Sequence, residues 1–160
     1  MKIGILSDTH DNLPRIREAV ETLNAIGVEF VVHCGDFIAP FSLNPFSVLR
    51  CDYRGVFGNN DGERPGLRKA YGGKIGADTA ELELGGKKIF LCHHRNDLPA
   101  LAGSGKFDLI CFGHTHQALV EKHGATLVLN PGECGGWLYG TSTFATVNLE
   151  NMEAEIISLP

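Results

Sequence analysis

This 160-residue chain has no long apolar run. No stretch approaches the roughly 20 apolar residues that a membrane-spanning helix requires. The opening Met1–Asp8 meets the Lys2 charge before an apolar leader of adequate length can form, so a cytoplasmic protein without membrane association is expected. Basic runs are also missing: 14 Lys and Arg stand against 19 Asp and Glu, for a formal charge of −5. That balance makes nucleic acid an unlikely partner, because a long backbone track needs a cationic stripe. It still allows a small phosphate-containing substrate, for which one local positive site suffices. No CxxC pair occurs, and the five cysteines (34, 51, 92, 111 and 134) are odd in number and scattered, so reduced thiols in or near a core are expected. With 43% hydrophobic and 21% charged residues, the composition excludes a disordered, collagen-like or coiled-coil chain. The length suits one domain over 1–160.

Glycine and histidine are plentiful, with 20 glycines and seven histidines, four of them in two tight pairs at 93/94 and 114/116. Residues 2–7 read as a short buried strand. A helix capped by Asn12 follows, with Pro14 in its first turn, apolar residues at 16, 19, 20, 23 and 26, and a stop at Gly27. A second strand is expected over Val28–His33, and strand–helix–strand order implies parallel pairing with a right-handed crossover. Beyond it come a short helix over Phe41–Leu49 interrupted by Pro45, a strand over Tyr53–Phe57, and a helical or loop-like stretch over Glu63–Tyr71. Thr79–Leu84 and Lys87–Cys92 flank Gly85-Gly86, a hairpin signal. A short helix near 97–103 and strands over 107–112, 117–122, 125–129, 141–149 and 153–159 complete the reading. The expected fold is α/β, with two mixed β-sheets packed as a sandwich and flanked by helices.

The chemistry-bearing residues gather where expected strands end: Asp8 and His10, Gly35 and Asp36, the run Gly58 to Gly62, His93 and His94, and Gly113 to His116. Sites in α/β sheets are built at the carboxyl ends of strands. Alternate residues leaving a strand point to one side, so Asp8-Thr9-His10 and His114-Thr115-His116 can each aim two donors at one cavity. Asp8, Asp36, Asn59 and the imidazoles can all ligate metal, and the set contains no cysteine, which argues against a finger-type zinc site. Imidazole mixed with carboxylate favours Mn, Ni, Co, Fe or Zn over Mg or Ca. About seven candidates exceed the needs of one tetrahedral ion and fit two ions sharing a carboxylate.

In that order, Asp8-x-His10, Gly35-Asp36, Gly58-Asn59, His93 and Gly113-His114-x-His116 resemble the calcineurin-like metallophosphoesterase superfamily over essentially the whole chain. The short length, the Val32–Asp36 segment and Asn130-Pro131-Gly132-Glu133 look like its small stand-alone phosphodiesterase branch. The resemblance implies one metal on Asp8, His10, Asp36 and His116, a second on Asp36, Asn59, His93 and His114, and Asp36 as bridge. It implies hydrolysis of a phosphodiester by a dimetal-bridging hydroxide, with Asp36 and His93 central to catalysis. Two divalent ions outweigh two carboxylates, leaving a positive spot that attracts a phosphate anion on an acidic chain. Two alternatives stay open: a phosphomonoesterase on the same site, and a non-catalytic protein-interaction scaffold of the same fold. A nucleic-acid nuclease is weakened by the acidic balance.

Two positions depart from the pattern. Many superfamily members carry a leaving-group acid after the Gly-Asn, where this chain has Asn60, and an amide cannot donate a catalytic proton. The branch usually has glycine where this chain has His94, so His94 either takes the acid's role, contacts phosphate with Arg95, or is a solvated loop residue. Asn60 and Asp61 either orient neighbouring ligands or serve only their loop. Glu133 lies near the cavity or in a turn, His33 reads as a hydrogen-bonded core histidine, and His123 as a solvated turn residue. The apolar Phe37, Ile38, Phe41 and Phe46 either pack inside or line a homodimer interface.

Overall fold

The computed structural model describes residues 1–160. Strand β1 (Lys2–Leu6) shows why two layers form on either side of one sheet. Its alternate residues Ile3 and Ile5 point into one core, while Leu6 joins another with the first helix. That helix, α1 (Leu13–Ile26), starts where Asn12 accepts a hydrogen bond from the Arg15 N–H and ends at Gly27 in the left-handed conformation. It buries Ile16, Ala19, Val20 and Leu23, one stripe at helical spacing.

One five-stranded sheet runs in the order β10 (Glu153–Ser158), β9 (Thr143–Asn148), β1, β2 (Phe30–His33), β3 (Asp52–Gly55). The second runs β4 (Thr79–Leu84), β5 (Lys87–Cys92), β6 (Leu109–Cys111), β8 (Thr126–Pro131), β7 (Ala118–His123). Within them β1, β2 and β3 are parallel, as are β5, β6 and β8, and the outer strands pair antiparallel. The inner faces share one core that includes Ile3, Ile5, Val32 and Val56 from the first sheet and Ile89, Leu91, Leu109 and Leu129 from the second. Burying each such aliphatic side chain stabilises the fold by roughly 1.5–3 kcal/mol. Helix α1 covers the far face of the first sheet, and α3 (Leu98–Gly103) covers that of the second through Ala102 against Phe90, Ile110 and Val128. The two-sheet sandwich flanked by helices is the expected fold.

The boundaries differ in instructive places. Val28 packs against α1 before β2 begins, so its burial reflects a loop and not the strand. Pro40–Val48 passes through Pro45 without interruption as a 3-10 helix, a geometry with no α-turn for the proline ring to break. Arg64–Ala70 is a helix, α2. Phe37 and Phe46 are interior, with Phe37 stacked on His33 at 3.7 Å, which leaves Phe41 the most exposed of that apolar group. All five thiols are free, and burial pushes those of Cys92 and Cys134 up to about 12, so they are inert core residues. No helix is long and apolar enough to cross a membrane.

Candidate metal centre

The carboxyl ends of β1, β2, β3, β5 and β6 bring their loops to one edge of the sandwich. Strand alternation is not what aims the donors there. Asp8, His10, Asp11, Asp36, Ile38, His114 and His116 all hold positive φ, between 42° and 85°, a region that non-glycine residues rarely adopt. Left-handed kinks therefore turn the chain after β1, β2 and β6 and converge the side chains there, which corrects the simple two-residue alternation read from the sequence; Asn59 and His93, after β3 and β5, have no such kink. Backbone strain of this kind concentrates where surrounding structure over-determines it. Space is equally constrained. A Cβ on Gly58 would run into the Asp36 carboxylate, and one on Gly113 would run into Ser7 Oγ and Asp8 Oδ2.

Two groups of donors result: Asp8, His10 and His116, and Asp8, Asp36 and His93. Asp8 Oδ1 lies 3.3 Å from His116 Nε2, 3.7 Å from His10 Nε2 and 3.9 Å from His93 Nε2. Asp36 Oδ2 lies 3.5 Å from His10 Nε2 and 3.4 Å from His93 Nε2. Most of these distances are too long for good hydrogen bonds, and Asp8 Oδ1, His10 Nε2 and His93 Nε2 are buried without a partner. Donors about 2.1 Å from a common ion lie about 3–3.5 Å from one another. The orphaned atoms thus have the spacing of a coordination shell, and the residues fit divalent metal.

The electrostatics agree. Burial opposes ionisation of Asp8, yet contacts with His10, Ser7 and the other imidazoles hold its carboxyl below the usual value. Burial likewise opposes charge on Asp36, and His93 with Asn60 holds it lower still. Burial disfavours charged His10 and His93, and the two carboxylates raise both nonetheless. The pocket therefore favours positive charge, which bound cations would supply in place of those protons.

The surrounding residues fix these donors. His93 Nδ1 is 2.8 Å from the Cys34 carbonyl, so Nδ1 carries the proton and Nε2 offers its lone pair to the cluster. Asn60 donates to both Asp36 oxygens, from its backbone N–H to Oδ1 at 2.9 Å and from Nδ2 to Oδ2 at 2.7 Å. Buried Asp61 receives the N–H groups of Asp36, Phe37, Ile38 and Gly58 at 2.7–3.0 Å. His33 is a core histidine: it accepts from Gly35 N–H, contacts Thr9, and burial depresses it to about 3.

His114 and Asn59 stand at the exposed mouth, outside both groups, with His114 Nδ1 2.9 Å from Asn59 Oδ1. His114 is edge-on to His93 at 5.3 Å, and exposed His94 tilts against it at 4.5 Å. Arg95 does not face the site, because it is forked onto Asp97 and lies over Phe90. Beside the cluster is a cleft of about 330 Å³ lined by Phe57, Gly58, Asn59, Arg64, Asp78, His93, His94 and His114.

Three supports were not assigned from the sequence. Buried Asn130 donates to the Gly113 carbonyl and Thr115, pinning the loop that carries His114 and His116. Glu133 is buried 3.2 Å from His116 Nδ1, short of a closed hydrogen bond, and accepts the N–H groups of Trp137 and Leu138. Arg64 enters the cleft from α2. The Asn-Pro-Gly-Glu run at the end of β8 is the one sequence signal for them, and it places Glu133 either near the cavity or in a turn.

A two-sheet sandwich with clustered imidazoles and carboxylates at one edge defines a class. Residues 1–152 match the family model of the calcineurin-like phosphoesterase superfamily domain, and the chain belongs to that superfamily. Among its relatives, phosphodiesterase MJ0936 of Methanocaldococcus jannaschii is 41% identical over 99% of both chains. Phosphodiesterase YfcE of Escherichia coli K12 is 27% identical over 82% of this chain and 78% of its own. A solved archaeal phosphodiesterase superposes with a TM-score of 0.94 at 40% identity, covering 99% of this chain and 100% of that one. Vps29 of Entamoeba histolytica, solved with zinc, shares the fold at a TM-score of 0.74 and 18% identity, covering 99% of each chain.

Proposed function

We propose that this chain is a metal-dependent phosphodiesterase with a dinuclear centre. It is a phosphoric diester hydrolase by full-length likeness to phosphodiesterases and by its phosphoesterase domain. The observation that carries the metal reading is the set of buried donors left without partners: Asp8 Oδ1, His10 Nε2 and His93 Nε2. One ion would be held by Asp8, His10, Asp36 and His116, and the other by Asp36, Asn59, His93 and His114. Support for Asp36 as bridge comes from its Oδ2, near-equidistant from His10 and His93. Two such ions (Mn, Ni, Co, Fe or Zn by donor chemistry) would supply Lewis acidity and activate water for in-line attack on phosphorus.

The chain's own residues hold this arrangement and limit it. Asn60 commits its side-chain amide to Asp36 and brings no proton for the leaving group. His94, exposed on the rim beside His114, is the imidazole placed to give one. Without a buried acid, esters with good leaving groups react fastest. Metal-stripped protein given an aryl phosphodiester should regain turnover on addition of Mn, Ni, Co or Zn, above its rate on the matching aryl monoester. An alkyl diester should react at least tenfold more slowly. Equal aryl and alkyl rates overturn the weak-acid reading, a faster monoester makes the enzyme a monoesterase, and two bound ions without any turnover favour a scaffold.

Glu133, 3.2 Å from His116 Nδ1, is placed to orient that imidazole as an outer carboxylate would once metal is bound. Glu133→Gln keeps the volume and removes the anion. Its ion affinity, read by calorimetric titration, should fall about 10–100-fold. Unchanged affinity removes Glu133 from the metal site.

A further inference from the structure

We propose that the cleft receives a diester whose second alcohol carries its own negative charge, and that Arg64 binds that charge. The proposal rests on the phosphodiesterase reading and extends it to substrate class. Arg64 walls the cleft together with Asn59, His94 and His114. Its head is held by three contacts: NH1 is 2.8 Å from Asp78 Oδ1, Nε donates to the Asp61 carbonyl at 3.2 Å, and NH2 donates to the Gly58 carbonyl at 3.3 Å. The guanidinium also lies 4.8 Å from the Phe57 ring centre. A guanidinium has five N–H donors, so three contacts leave two unused on a side chain 43% exposed. The group is thus fixed in place with donors to spare, as recognition of a carboxylate or phosphate requires.

The scissile phosphoryl group of a diester bears a single negative charge, which the metal centre neutralises. A permanent cation at the other wall then has no counter-charge in a diester of two neutral alcohols. Its own partner, Asp78, is 71% exposed, and so open an ion pair is worth at most about 1 kcal/mol, which a substrate anion can share. Arg64 also borders a second hollow lined by Arg68 and Lys69, so cationic groups continue outward from the cleft on a chain of net charge −5. The nearby acid, Glu63, lies against Gly66. The cleft volume, about 330 Å³, is that of a small-molecule site.

The test uses three p-nitrophenyl phosphodiesters with one leaving group and different second alcohols: ethyl, 2-carboxyethyl and choline. With manganese-loaded wild type, kcat/KM should be about tenfold higher for the carboxyethyl ester than for the ethyl ester, mainly through KM, and lowest for choline. Arg64→Gln should bring the carboxyethyl-to-ethyl ratio near one, Arg64→Lys should keep part of it, and Asp78→Asn should raise it several-fold. Each ratio is taken on a single protein, so partial unfolding cancels. Cleavage of all three esters at equal kcat/KM, or an unchanged ratio in Arg64→Gln, overturns the charge proposal alone. Cleavage of none overturns the phosphodiesterase reading and the proposal with it.

Discussion

Asp36→Asn is expected to lose more than about 100-fold in kcat/KM on an aryl phosphodiester and to bind fewer than two ions, while folding as the parent does. Loss of an outer carboxylate costs about 10–100-fold in metal affinity or activity, and loss of a carboxylate that two ions would share should exceed that. Asparagine is isosteric, and the Asn60 side chain can turn its oxygen toward the new amide, so the local hydrogen bonds survive. What disappears is the negative charge midway between His10 and His93. His93→Ala should behave alike, because its Nε2 is one of the orphaned donors and its Nδ1 is tied to Cys34. Wild-type turnover or full metal content in either variant removes Asp36 from the bridge or His93 from the centre.

The largest stability effect is expected at Asp61, a residue that coordinates nothing in this reading. Its carboxylate collects four backbone N–H groups, and Asp61→Ala leaves them buried without acceptors. Each unsatisfied group costs about 1–3 kcal/mol, and water entering the gap recovers part, so a loss of about 3–5 kcal/mol is expected in urea unfolding. Two of the donors belong to Asp36 and Phe37, so metal content should fall as well. A loss below about 1 kcal/mol means that the loops satisfy these groups another way.

Much of this architecture is legible because local and global signals agree. Ile3, Ile5 and the stripe from Ile16 to Leu23 carry their burial in their spacing, and Gly85-Gly86 marks its hairpin. The donor residues are legible as types at strand ends. Their geometry is not, because convergence depends on left-handed backbone at Asp8, His10, Asp36, His114 and His116, which no periodicity encodes. Nor do Asn130 and Glu133 show as partners, since both act on the loop after β6, which is distant from them in sequence. The role of Asp61 is hidden for the same reason, because its four donors come from two separate loops.

The donors are divided between the layers. Asp8, His10, Asp36 and Asn59 follow strands of the first sheet, and His93, His114 and His116 follow strands of the second. In mechanical terms the centre is a rivet through the end of a laminate. At that edge the packed core is helped by hydrogen bonds between the layers, from His93 Nδ1 to the Cys34 carbonyl and from the His114 N–H to Asp8 Oδ2, and an ion gripped from both sides would resist shear as well. A small lateral slip would pull His116 away from Asp8 and His93 away from Asp36 together. Alignment of the two sheets and integrity of the centre are therefore one and the same degree of freedom.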